Sequence, residues 1–216
     1  MRRLLIGLSA FALGGTTAAA LSMAGQAHPP AASAQPLRNA ALPAGRLPVS
    51  ASSLHEALAA GLVDRPVKTI LAVPGRMTYG DYRWDEEGVP AGPTWIRVDL
   101  NSQILSVFRA GHEIGTAVIL YGADGVPTPT GRFPVLAKLK DHRSATYDAP
   151  MPFTLRLTAD GVSIHASNVR WGYATHGCIG VPEAFAAKLF AATHLGDEVL
   201  IVDGAGRGHR APASNS

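Results

Sequence analysis

Residues 162–182 hold the chain's only cysteine, Cys178, and two of its eight histidines, His165 and His176. A thiol attacks carbon as the thiolate, so a nucleophilic cysteine needs a proton acceptor and donors that hold the oxyanion it creates. His165 lies thirteen residues before Cys178, near in sequence yet far enough for a loop to fold back and set imidazole against sulfur. Gly177 permits a sharp turn that leaves its own amide and that of Cys178 aimed into a cleft. His165, His176 and Cys178 are also zinc-type ligands, but no second cysteine pair and no acidic fourth ligand stand nearby, so no metal is expected.

The surroundings of that thiol sharpen its meaning. Met1-Arg2-Arg3 is followed by an apolar run from Leu4 to Leu13 and then by small residues, the pattern of an export signal ending near Ala27 or Ala34. The rival is an uncleaved anchor, because Leu4 to Gly25 carries no charge and is long enough to span a bilayer. Membrane contact is expected only in that second case, and either way the domain is exported, to periplasm or cell wall. A lone cysteine there forms no internal disulfide and is an oxidation liability unless it has a task. Arg2, Arg3, Arg38 and Arg46 precede residue 51 with no acid among them, and setting them aside takes the formal charge from +3 to −1 for residues 51–216. No basic face is evident, which argues against nucleic acid as a partner.

The elements that must position the thiol read as short strands. Residues 28–50 are rich in Ala, Pro, Ser and Gln and are expected to be a disordered tether. Residues 51–93 form an extension with one short helix, opened by Ser53 and Glu56 as a capping box. From Trp95, apolar residues alternate: Ile96 and Val98, a turn at Asn101-Ser102, then Ile104 to Phe108. Residues 122–131 hold too much Pro and Gly for regular structure, and residues 133–139 alternate as one further strand. Asp160-Gly161 is a hairpin turn into a strand where Val162 and Ile164 face the core and Ser163 and His165 face away. Pro182 opens a helix that Gly196 closes, which sets Cys178 just before a helix N-terminus, where peptide dipoles favour thiolate. Residues 198–202 return as a strand and 205–216 form a flexible tail. The fold expected is mainly β, a β-sandwich or barrel with a few peripheral helices over residues 94–204.

His165 followed by Thr175-His176-Gly177-Cys178-Ile179 strongly resembles the signature of the L,D-transpeptidase (YkuD-like) catalytic domain. Residues 95–108, the Pro127-Thr128-Pro129-Thr130-Gly131 loop, Met151-Pro152-Phe153 and Gly161-Val162-Ser163-Ile164-His165 resemble the same family in the same order. The resemblance implies peptidoglycan stem peptides as substrate, Cys178 as nucleophile and His165 as general base. It makes Gly177 and Cys178 the oxyanion donors, with His176 and Thr175 supporting the loop. D-alanine would leave, and an amine of a second stem, or of a wall-anchored acceptor protein, would take the acyl group. No cofactor is implied.

Two other outcomes stay open. Water as acceptor would make the chain an L,D-carboxypeptidase or amidase, and loss of catalysis would leave a wall-binding module. Three departures from the family's pattern bear on this. Ala166 stands where Gly is common, the interval from His165 to Thr175 is short, and Gly180 stands where many members carry Arg or Asn. Tyr147, Met151, Trp171 and Tyr173 are the expected cleft residues.

Overall fold

The computed structural model of the chain describes residues 45–123 and 125–204. The expected signal or anchor, most of the tether and the tail lie outside the described residues. Strand β1 (Arg46–Pro48) leads to helix α1 (Ala51–Ala59), then β2 (Thr69–Leu71) and β3 (Tyr82–Trp84). Next come β4 (Thr94–Asp99), β5 (Ile104–Arg109), β6 (His112–Val118), β7 (Gly131–Pro134), β8 (Ala137–Arg143) and β9 (Pro150–Arg156). The series ends with β10 (Ser163–Ala166), β11 (Ile179–Val181), helix α2 (Glu183–Ala192) and β12 (Glu198–Val202).

Eight strands make one sheet in the path β1-β2-β6-β5-β4-β12-β7, with β3 also on β6, and four make a second, β11-β10-β9-β8. The fold is mainly β. Neither sheet closes, which leaves the open, layered form of the expected architecture. Alternation explains the first sheet's central hairpin: Ile96, Val98, Leu105 and Val107 are fully buried, and the Asp99 carboxylate turns the chain by accepting the amides of Asn101 and Ser102. Helix α2 carries the chain from β11 to β12, which lies parallel to β4. It contributes Phe185, Ala186, Leu189 and Ala192 to a core shared with both sheets. The Phe185 ring meets Tyr82 and Trp84 edge-on, and burying a side chain of this size is worth about 2–3 kcal/mol.

Four local expectations change. Residues 45–50 are not tether: β1 pairs antiparallel with β2, and the Ser50 hydroxyl caps α1 by accepting the Ser53 amide. The cap is therefore Ser50 rather than Ser53. Residues 133–139 are two strands in different sheets. Val135 N still bonds Asp197 O beside the first sheet, whereas Leu136 N bonds Arg156 O in the second, and Pro134 has no amide with which to prolong the first ladder. Helix α2 stops at Ala192, capped by Thr193, so Gly196 belongs to the following turn. The extension over residues 51–93 joins the domain through β2 and β3, which both pair with β6.

Candidate active site

Strand β10 lies antiparallel to β9 and parallel to β11, and the second pairing sets His165 opposite Gly180. Ile164 is buried in the core, so its neighbour His165 turns to the other face, where a cleft opens. Val162 precedes the strand and lines this cleft instead of facing the core, and Ser163 lines it too while almost fully buried. Cys178 immediately precedes β11. The loop that returns to it is fastened at both ends: Ser167 N bonds Val181 O, while Thr175 N bonds Tyr121 O and Thr175 O accepts Ala123 N. Gly177 has φ +95°, a conformation that glycine adopts freely, and this sets the turn into Cys178.

Backbone anchoring continues at Cys178. Its carbonyl accepts the Thr175 hydroxyl and, at 3.5 Å, that of Thr128. Thr128 Oγ1 in turn accepts Gly122 N at 2.9 Å. With the carbonyl held from behind, the amides of Gly177 and Cys178 donate to no backbone carbonyl among the described residues. They remain able to receive an oxyanion.

His165 and Cys178 line one cleft of about 790 Å3. His165 Nδ1 lies 2.8 Å from Ala166 O. A carbonyl can only accept, so Nδ1 carries the proton and the neutral ring presents Nε2 as a base. Burial pulls the His165 pKa below the ordinary histidine value, aided by the charge of His142 and opposed by the Ala166 bond. Burial pushes the Cys178 thiol up; a hydrogen bond from the Ser163 backbone works against this, and the charge of Asp160 adds to it. The thiol donates to Gly161 O at 3.9 Å. The resting pair is therefore neutral thiol and neutral imidazole. The expected help from a helix N-terminus is absent, because three residues of β11, about 10 Å of extended chain, separate Cys178 from α2, and the dipole acts within one turn.

Of the expected cleft residues, Tyr147 and Met151 line the cavity. Tyr147 stacks on His176, with centroids 4.1 Å apart and planes at 19°, so His176 is held as part of the wall. Trp171 and Tyr173 are corrections. Trp171 is 82% exposed and leans edge-on against Tyr79, outside the cavity. Tyr173 lies under the Arg170 guanidinium and faces a separate hollow bordered by Gln103 and Tyr121. The loop is short, and Tyr173 N turns back to Arg170 O, which directs both rings away from the sulfur.

Sequence reasoning missed Thr128, His142, Arg156 and Asp160. The Pro-Thr-Pro-Thr loop was the available signal for Thr128; the others come to the cleft only through the pairing of β8, β9 and β10. Gly180 gains a physical reason, for a Cβ there would lie 2.8 Å from Ser167 Cβ and 3.4 Å from Leu120 Cβ. It also exchanges two backbone bonds of 2.9 Å with Leu120, joining the second sheet to the chain that continues from β6. Among the described residues, no three His, Cys, Asp or Glu side chains are grouped as metal ligands.

The family model of the L,D-transpeptidase catalytic domain (YkuD) matches residues 93–201. Among solved structures, an L,D-transpeptidase from Stackebrandtia nassauensis is 24% identical with a TM-score of 0.49, over 53% of this chain and 58% of that one. An Enterococcus faecium L,D-transpeptidase mutant is 27% identical with a TM-score of 0.48, over 52% and 50%. An L,D-transpeptidase from Mycobacterium smegmatis is 22% identical with a TM-score of 0.47, over 50% and 58%. The chain thus spans about half to three-fifths of the length of these structures. No curated protein matches it.

Proposed function

Because this chain belongs to the YkuD family of L,D-transpeptidase catalytic domains, we propose that it is an exported cysteine acyltransferase acting on peptidoglycan stem peptides. The observation that carries this reading is the opening of Cys178 and His165 onto one cleft, with the His165 proton fixed on Nδ1 by Ala166. His165 Nε2 takes the thiol proton as sulfur attacks the carbonyl carbon of the bond between the L-centre of a diamino acid and D-alanine. The amides of Gly177 and Cys178 hold the oxyanion. The tetrahedral intermediate collapses as the C–N bond breaks, and the proton on His165 passes to the departing D-alanine amine. An amine of a second stem, or of a wall-anchored protein, then attacks the thioester carbon and gives its proton to His165; the C–S bond breaks as the new C–N bond forms, and His165 returns the proton to the departing sulfur. The N-terminal sequence supports action in the periplasm or cell wall, in the building of peptidoglycan and the maintenance of cell shape.

Intact-mass measurement after incubation with a stem tetrapeptide tests the proposal. The expected result is free D-alanine with an acyl adduct on the wild type and none on Cys178→Ala, followed by cross-linked dimers. Tripeptide without dimers would replace transfer by hydrolysis. No adduct and no D-alanine would sink the acyltransferase reading.

A further inference from the structure

Among the residues lining the cleft, Arg156 and Asp160 are the only permanently charged side chains, one of each sign; the other titratable groups there are His142, His165, His176 and Cys178. Arg156 is the last residue of β9, and Asp160 lies within the turn that leads on to β10. Oppositely charged neighbours on a short turn commonly pair, yet no ion pair within 4.0 Å joins these two. Two of the three Arg156 nitrogens hold backbone carbonyls instead, Nε to Thr158 O at 3.1 Å and Nη2 to Ala159 O at 2.6 Å. This fixes the guanidinium at the cleft wall.

The turn does not need the Asp160 carboxylate. Its bonds run through Thr158, whose carbonyl accepts Gly161 N at 3.3 Å and whose hydroxyl accepts Val162 N at 2.9 Å. The Asp160 carboxylate is exposed at the cleft, holds no part of the turn, and is free to meet a cationic group there. The described residues lining the cleft place no cation within ion-pair distance of it, so a ligand's ammonium would meet no competitor.

We propose that Arg156 and Asp160 form a receptor for a zwitterionic amino-acid end, the guanidinium taking its carboxylate and Asp160 its ammonium. This rests on the acyltransferase reading and narrows it. The donor stem's diamino acid ends in a full amino-acid group, not in a bare amine or an amide. Position agrees with this. The thiol bonds Gly161 O, and Gly161 follows Asp160 directly, about 3.8 Å along the chain between Cα atoms. A peptide whose scissile carbonyl meets the sulfur thus brings a side chain of a few carbons, at about 1.5 Å per bond, to this turn. Planar guanidinium matches carboxylate through paired N–H donors, and such charge-assisted bonds are the strong ones.

The test uses four tetrapeptides identical except at the far end of the third residue: a free amino-acid group, the same with its carboxylate amidated, the same with its ammonium acetylated, and a plain amine. Calorimetric binding to full-length Cys178→Ala reads the receptor without chemistry, and the rate of acyl-adduct formation on the wild type reads it in turnover. The zwitterionic peptide is expected to bind roughly tenfold or more tighter than any of the other three, in line with a charge-assisted hydrogen bond. Asp160→Asn should erase the penalty for N-acetylating that ammonium while keeping the preference for carboxylate over amide. Equal affinity for all four peptides, or an acetylation penalty untouched by Asp160→Asn, would overturn the receptor. Selective binding without any acylation of the wild type would instead overturn the acyltransferase reading and leave the receptor standing.

Discussion

The thiol of Cys178 faces the carbonyl oxygen of Gly161 across 3.9 Å, and an oxygen that can only accept favours the protonated sulfur. Burial and the charge of Asp160 act in the same sense, both raising the thiol pKa. Reactivity in the free protein is therefore low at neutral pH. Alkylation by iodoacetamide, followed by intact mass against pH, should rise only above the ordinary thiol range. Asp160→Asn removes one of the two causes and should move that rise to lower pH; no movement would show that the carboxylate does not act on the sulfur.

His165 responds in the opposite direction. Its folded pKa lies below the ordinary value of 6.5, so the imidazole stays an unprotonated base on mild acidification. The acid limb of kcat/KM should fall below pH 6.5, and the alkaline limb should follow the raised thiol. The same shift has a stability consequence. Below pH 6.5 the unfolded chain binds a proton that the folded chain resists, so this group lowers stability as pH falls toward the folded pKa, and His165→Asn should blunt that acid sensitivity. Removing the base should also cost about 10²- to 10⁴-fold in acylation rate.

Thr175 tests the loop rather than the chemistry. Its hydroxyl fastens the Cys178 carbonyl, and Thr128 supports the same oxygen from the neighbouring loop. Thr175→Val keeps the shape and removes the donor. A single lost hydrogen bond of this kind costs about 1 kcal/mol in urea unfolding. The acylation rate should fall further than that energy implies, since the freed loop misaims two oxyanion amides, and Thr175→Ser should restore most of it. Equal losses in stability and rate would reduce Thr175 to packing.

The placing of His165 and Cys178 on one cleft was legible in the sequence because local rules decide it. An Asp-Gly turn followed by alternation sets His165 on the face opposite Ile164, and Gly177 marks the turn into Cys178. Tyr147 and Met151 line the cleft as expected, whereas Trp171 and Tyr173 were misplaced because their rings answer to distant partners, Tyr79 among them, that no local pattern encodes. The break between Pro134 and Ala137 was hidden for a related reason, since a change of sheet leaves apolar alternation intact. Thiol ionisation was misjudged because helix and cysteine are near in sequence while a strand separates them in space. Arg156 and Asp160 needed the hairpin register before they could be seen as one wall.

Gly180 carries the last test, and its consequence reaches both sheets. The residue meets Leu120 through two backbone bonds and lies beneath Ser167, the first residue after β10. A methyl group at this point would stand 3.1 Å from Ser167 Oγ and closer still to its Cβ. Gly180→Ala must therefore push Ser167 away or pull β11 off Leu120, and overpacking of this sort costs about 1–3 kcal/mol. The loop from Ser167 to Cys178 is fastened at this edge, so the strain should also appear as slower acylation. Adding Ser167→Gly removes the clashing atoms and should recover part of both losses in urea unfolding and adduct kinetics. Failure of the second substitution to recover either would mean that the backbone pairing with Leu120, rather than the space above it, requires glycine.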